Sequence, residues 1–374
     1  VKRRIKVMVI FGTRPEAIKM APLVSELSKH SSLIETYVTV TAQHREMLDQ
    51  VLTAFSISPD FDLNLMQSGQ SLADITTRAL IGLDTIIKDT RPDIILVHGD
   101  TTTTFAAALA AFYNDVKVGH VEAGLRTFNK HSPFPEELNR QLTGLLADLH
   151  FAPTETAITH LQKENKDPAT LFLTGNTVID ALKTTVAKKY SHELLTSIQT
   201  KKLILLTAHR RENLGKPMAN IFSAVRRISN EFKDIAIVYP VHMNPAIRKL
   251  AKDILGGQPN IHLTEPLDVI DFHNIAARSY LILTDSGGIQ EEAPFLGVPV
   301  LVLRDTTERP EAIEAGALKL AGTEEETIYH LTKELLTNEH LYKEMAVQSN
   351  VYGDGTASRR IVEAILHYFS RNGI

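Results

Sequence analysis

The amino-acid sequence predicts an α/β protein built from two doubly wound parallel-sheet domains. Three features predict it. Short β-branched runs alternate with helical patterns from end to end. Most of these runs are continuously apolar rather than alternating, as strands buried on both faces are. The series also starts again near residue 170, so each half reads as its own Rossmann-like sheet. In chain order, the first half offers strands at 5–11, 36–41, 93–98, 116–121 and 150–152. The second half offers 171–173, 203–207, 235–241, 260–264, 280–284 and 298–303. Helices are expected at 101–113, 132–146 and 218–232. The polar stretch 163–170, with Pro168, marks the expected boundary between domains 1–170 and 171–357. In the tail, Ile361, Val362, Ile365, Leu366 and Phe369 are spaced for a helix with one buried face.

Composition narrows the class. The 374 residues are 43% hydrophobic, 22% charged and 6% aromatic, which suits two packed cores and excludes disorder. Forty Lys plus Arg against 44 Asp plus Glu leave a net charge of −4, no electrostatic case for nucleic acid or an anionic membrane. There is no cysteine, which excludes disulfides, thiol nucleophiles, thiolate metal sites and iron–sulfur clusters. The first strand is too short for a secretory core, and no apolar run approaches the ~18 residues of a membrane span. A soluble, cytoplasmic protein is expected.

Ligands of open parallel sheets bind beyond the carboxyl ends of the strands, so chemistry is sought just after each apolar run. The first run leads into Gly12-Thr13-Arg14-Pro15-Glu16, where Gly12 permits a tight turn and Pro15 suits a helix start. Arg14 can fork onto a phosphate there, and Lys19 follows one turn later; an ordinary turn with a solvated Arg is the rival reading. No stretch supplies G-x-G-x-x-G between a strand and a helix, so a nicotinamide cofactor is unsupported. Asp100, in Gly99-Asp100-Thr101-Thr102-Thr103-Thr104, is a helix cap or an acid on a polar rim. Glu122 ends the next run, and Pro133-Phe134-Pro135 presents Glu136 and Glu137 at a helix start. Three acids converging on one site push at least one proton affinity upward, the usual way to make an acid and a base from the same group. His98-x-Asp100 and His120-x-Glu122 raise a divalent metal as a rival. No third His-rich segment completes a ligand set, so both histidines are read as packed or hydrogen-bonded supports and no metal is expected.

In the second half, Ala208-His209-Arg210-Arg211 follows a buried run, so His209 is a candidate general acid beside a phosphate clamp. Tyr239-Pro240-Val241-His242 adds polar lining. The sharpest signal is Asp285-Ser286-Gly287-Gly288-Ile289-Gln290-Glu291-Glu292, small residues opening a helix so that backbone N–H groups reach a diphosphate. Glu292 is placed to accept from ribose hydroxyls, and Arg309 lies after the last strand at the same edge.

Together these segments resemble the non-hydrolysing UDP-N-acetylglucosamine 2-epimerases. The similar stretches are 11–19, 99–104, 120–127, 133–140, 175–180, 209–212, 239–242, 285–294 and 304–311, with Tyr352-Gly353-Asp354-Gly355 near the end. The resemblance implies a glycosyltransferase-B-like pair of domains facing a central cleft, with the C-terminal helix, about 358–374, returning to the first. It implies interconversion of UDP-N-acetylglucosamine and UDP-N-acetylmannosamine, without cofactor, by a cytoplasmic homodimer feeding envelope polysaccharides. By motif, Arg14, Lys19, Asp100, Glu122, Glu136 and His209 become the catalytic neighbourhood. Ser286, Gly287, Gly288, Glu292 and Arg309 become UDP contacts, with Phe272 near uracil. Some members bind a second substrate molecule as activator; Gln43, His44, Arg210 and His242 match that site, whereas Glu46 and Gly69 depart from it.

No carbonyl acidifies the hydrogen on C2 of an N-acetylhexosamine directly, so inversion needs oxidation or elimination. With no nicotinamide fingerprint, elimination of UDP to 2-acetamidoglucal and re-addition is the expected route. The rivals are a hydrolysing epimerase, a UDP-sugar glycosyltransferase of the same fold, and a nucleotide-sugar sensor.

Overall fold

The computed structural model describes residues 3–42, 45–67, 69–198, 202–307 and 309–371, with the side chains of 45–47 left out. Seven strands form the first sheet: β1 (Ile5–Phe11), β2 (Ile34–Val40), β3 (Phe61–Asp62), β4 (Ile94–His98), β5 (Lys117–Val121), β6 (Leu149–Ala152) and β7 (Leu171–Leu173). Six form the second: β8 (Lys202–Thr207), β9 (Ile235–Pro240), β10 (Ile261–Thr264), β11 (Leu281–Thr284), β12 (Val300–Val302) and β13 (Leu318–Leu320). Every pairing is parallel. The expected class, two doubly wound parallel-sheet domains, is the one found.

The strand orders are β3-β2-β1-β4-β5-β6-β7 and β10-β9-β8-β11-β12-β13. Each reverses direction beside the strand that comes first in its sequence, between β1 and β4 and between β8 and β11. Such switch points splay the two following loops apart and open a crevice at the strand ends. Strand β1 shows why the sheet is sealed on both sides. Its Val7, Val9 and Phe11 enter one buried layer, while Met8 and Ile10 enter the other.

Two strands have no counterpart in the sequence pattern. β3 has two residues, too few to show a period, and β13 has two exposed residues of three. The chain divides into Val1–Thr184 with Tyr352–Ile374, and Thr185–Val351. This differs from the expected crossings near 170 and 357. The reason is that Leu171–Leu173 pairs with β6 as the last strand of the first sheet. The following helix, Thr177–Thr185, also buries Val178, Ile179, Ala181 and Leu182. Its Asp180 carboxylate accepts the N–H groups of Ala357 (3.1 Å) and Ser358 (2.9 Å) at the head of the last helix, Ala357–Arg371. Ile361, Val362, Ile365 and Phe369 of that helix join the core of β1 and the helix Arg14–Lys29. Among the described residues, no helix is long and apolar enough to cross a membrane.

Candidate active site

In the first unit, the loops after β1, β4 and β5 meet at the switch point and wall a cavity of about 360 Å³. Lys19, His98, Asp100, Glu122 and Glu136 all line it. Arg14, the first residue of the same helix as Lys19, is half-buried and lies outside this wall.

The loops are held by Glu16, which is 2% exposed. One carboxylate oxygen accepts the N–H groups of Gly12 (3.0 Å) and Thr13 (2.8 Å), and the other accepts the hydroxyls of Thr101 (2.7 Å) and Thr104 (3.2 Å). One side chain thereby caps its own helix and ties the β1 loop to the β4 loop. Gly12 is required by space: a Cβ there would stand 2.0 Å from the Thr41 hydroxyl.

Glu122 is nearly buried and has a positive φ of 62°, a conformation that costs a non-glycine residue energy and re-aims its side chain. Three groups converge on its Oε2. Lys19 donates from Nζ, Asn176 donates from Nδ2 at 2.7 Å, and His98 Nε2 lies 3.5 Å away. Burial by itself raises the proton affinity of Glu122, but the charges of Lys19 and His98 outweigh it and hold the carboxyl well below its ordinary range. Asp100 goes the other way. Burial raises it, Glu122 and Glu136 add to the rise, and the pull of Arg140, which donates to Oδ2, does not cancel them. Asn139 donates to the Asp100 carbonyl at 3.0 Å. Two acids on one cavity thus differ in proton affinity in opposite senses. His120 is a support: its Nε2 is 2.7 Å from the Gly99 carbonyl, and burial drives its pKa to about 3, so the ring is neutral. Glu137 is also structural, accepting the N–H groups of Thr127 (3.0 Å) and Phe128 (3.1 Å), so that of this neighbouring pair it is Glu136 that lines the cavity.

In the second unit, the loops after β8 and β11 share a fully buried carboxylate, Asp285. It accepts the N–H groups of His209 (2.9 Å) and Arg210 (2.9 Å) and the Asn213 amide (3.1 Å). His209 Nδ1 is 3.2 Å from the same carboxylate, which makes Nε2 the ring nitrogen turned away from Asp285. The ring stacks on His242, with centroids 5.6 Å apart. Ser286 precedes the helix Gly287–Leu296, whose first N–H groups have no partner within the helix. A Cβ on Gly287 would lie 2.9 Å from the Arg309 guanidinium, so the missing side chain lets that cation lie across the helix start, braced by Glu291 at 2.8 Å. Gly288 sits beside Glu292, a Cβ there falling 3.5 Å from its Oε1. Glu292 in turn is 3.6 Å from His273 Nε2, and His273 Nδ1 is 2.7 Å from the Thr185 hydroxyl. Phe272 is half-buried on the same helix as His273, Val269–Ala276. A cation, a helix start and a carboxylate in this order suit a diphosphate followed by a ribose.

Gln43 and His44 lie outside the described residues. Sequence reasoning assigned no role to Glu16, Asn176, Arg140, Asp285 or His273. Thr13-x-x-Glu16 is a legible capping box, but the other four act across long separations that leave no local pattern.

The family model described as UDP-N-acetylglucosamine 2-epimerase matches residues 25–366. The UDP-N-acetylglucosamine 2-epimerase of Bacillus subtilis is 65% identical, over 98% of this chain and 96% of its own. A putative UDP-N-acetylglucosamine 2-epimerase structure from Listeria monocytogenes is 59% identical with a TM-score of 0.92, covering 99% of this chain and 98% of that one. The Neisseria meningitidis UDP-GlcNAc 2-epimerase, solved bound to UDP-GlcNAc, is 49% identical with a TM-score of 0.91, covering 97% and 100%. With likeness running through both sheets and nearly every residue between, this chain belongs to the UDP-N-acetylglucosamine 2-epimerase family.

Proposed function

We propose that the protein interconverts UDP-N-acetylglucosamine and UDP-N-acetylmannosamine by eliminating UDP and adding it back. The observation that carries this reading is the set Asp100, Glu122 and Glu136 on one cavity, with Asp100 and Glu122 driven apart in proton affinity. The C2–H bond and the C1–O bond to UDP break together. A carboxylate takes the proton, UDP leaves with the bonding pair, and the C1–C2 double bond of 2-acetamidoglucal forms. On return, the diphosphate oxygen bonds C1 while an acid delivers a proton to the opposite face of C2. Nothing is oxidised overall, so the scheme calls for no cofactor.

Glu122 begins ionised and fits the base; Asp100 holds a proton more readily and fits the acid; Glu136 completes the relay. Lys19 and Arg14 add positive charge on the first unit. On the second, Gly287, Gly288 and Arg309, with the Ser286 hydroxyl, take the diphosphate, Glu292 takes the ribose and Phe272 the uracil. His209, oriented by Asp285, meets the charge that grows on the leaving phosphate. In heavy water, recovered substrate and product are both expected to carry deuterium at C2. Anomeric proton NMR with no added cofactor is expected to show UDP-N-acetylmannosamine. Full retention of protium, or release of free N-acetylmannosamine, overturns the reading.

The proposal includes a homodimer working in the cytoplasm, where UDP-sugars are made for envelope polysaccharides. The homodimer is supported by a helix that is apolar on every side after its first turn. Thr102–Tyr113 buries Ala106, Ala107, Ala108, Ala110 and Ala111, yet leaves Phe112 61% and Tyr113 65% exposed. The helices packed on either side of it, Leu72–Thr90 and Glu136–Leu146, expose Ile81 (63%) and Leu145 (72%). Water-facing apolar side chains on three neighbouring helices mark an interaction surface. Phe112→Arg with Leu145→Asp is expected to halve the mass measured by light scattering; an unchanged mass removes this face from the interface.

A further inference from the structure

Asn176 does more than cap the helix that follows it. The residue is 2% exposed, and each of its polar groups is committed. The backbone N–H donates to the Tyr352 carbonyl at 2.7 Å, where the chain re-enters the first unit. Side-chain Oδ1 accepts the Val178 N–H at 3.0 Å, capping the helix Thr177–Thr185. That contact settles the amide's orientation, because only an acceptor can face an N–H. The NH₂ end must therefore point the other way, and there it meets Glu122 Oε2 at 2.7 Å. The backbone has no slack to turn it aside. Gly175, at φ +85°, lies so close to Gly353 that a Cβ on it would stand 3.0 Å from the Gly353 Cα.

We infer that Asn176 is a positioning residue that fixes which oxygen of Glu122 works on the sugar, by engaging Oε2 together with Lys19 and leaving Oε1 to act. The inference rests on the proposed role of Glu122 in the reaction. Its physical basis is that a carboxylate bonded at one oxygen by donors from two directions cannot rotate about its last bond without breaking one of them. Lys19, on a long flexible stem, supplies charge; Asn176, on a short side chain whose other end is pinned, supplies direction. The charged and titratable groups facing Glu122 are Lys19, His98, Asp100 and Glu136, with Arg140 held by Asp100.

The test uses Asn176→Asp, which preserves volume and the cap to Val178 but turns a carboxyl toward Glu122. Thermal stability is expected to stay near wild type at pH 6, where the cap is kept and one proton is shared, and to fall at pH 8, where two buried carboxylates repel. At pH 8, with both carboxylates ionised, kcat is expected to fall about 10- to 100-fold while the dissociation constant for UDP stays within about twofold. At pH 6 the loss is expected to shrink, because a proton shared between the two acids restores a donor toward Glu122. Asn176→Ser, a cap with no donor able to reach, is expected to lower kcat by a similar factor at both pH values. Wild-type kcat and overlapping pH profiles in both variants would reduce Asn176 to a cap and overturn the inference. Glu122→Gln in the same assay separates the levels. If it is inactive while both Asn176 variants are normal, the inference alone falls; if it is fully active, the role of Glu122 falls and the inference with it.

Discussion

Glu122→Gln is expected to lower kcat by about 10²- to 10⁴-fold, with wash-in of deuterium at C2 falling in parallel. Gln keeps the shape of the side chain but cannot take a proton. The substitution also removes the counter-charge of Lys19, which is 8% exposed, so a drop in thermal stability should accompany the loss. Binding of UDP, measured by calorimetry, is expected to be unchanged, because the proposed nucleotide contacts lie on the second unit. A variant that still exchanges C2 hydrogen at the wild-type rate refutes the assignment. The pH dependence follows from the same pair. The folded-state proton affinity of Glu122 is depressed, so its stabilising contribution is present above the unfolded carboxyl value and is lost as pH falls through the lower folded one. Asp100 is raised, so its contribution is present at low pH and is lost as pH rises through its folded value. Activity that needs Asp100 protonated and Glu122 ionised should therefore fall on both sides of a maximum, with Asp100 on the alkaline limb.

Glu16→Ala is expected to destabilise the protein by about 3 kcal/mol, read as a lower urea midpoint. Two backbone N–H groups and two threonine hydroxyls lose a buried acceptor at once. Activity should fall with it, because Lys19 rides on the helix that Glu16 caps. Glu16→Gln retains an acceptor for the two N–H groups and is expected to cost about 1 kcal/mol. Equal midpoints for the two variants would mean that water replaces the carboxylate, and that the loops are held by other contacts.

Much of each unit's candidate site can be read in the amino-acid sequence. Gly12–Lys19, Asp100, Glu122, His209 and Ser286–Gly288 each follow a buried apolar run, and all lie at strand ends. The choice between Glu136 and Glu137 is not legible: both are first-turn acids, and only the fold turns one into the cavity and the other onto the Thr127 and Phe128 amides. The segment 171–173 misleads for a different reason. Three apolar residues after a proline look the same whether they begin one sheet or end another, and the pairing with β6 decides.

The sequence by itself determined the number and kind of sheets, the loops that carry polar residues and the helix starts, because strand burial, capping and helical period act over a few neighbouring residues. The tertiary structure alone decided the company of each carboxylate. Lys19 comes from a helix, His98 from the end of β4, and Glu122 and Asn176 from the loops after β5 and β7, spread over more than a hundred positions, and proton affinity depends on distance and burial in space, to which order along the chain is blind.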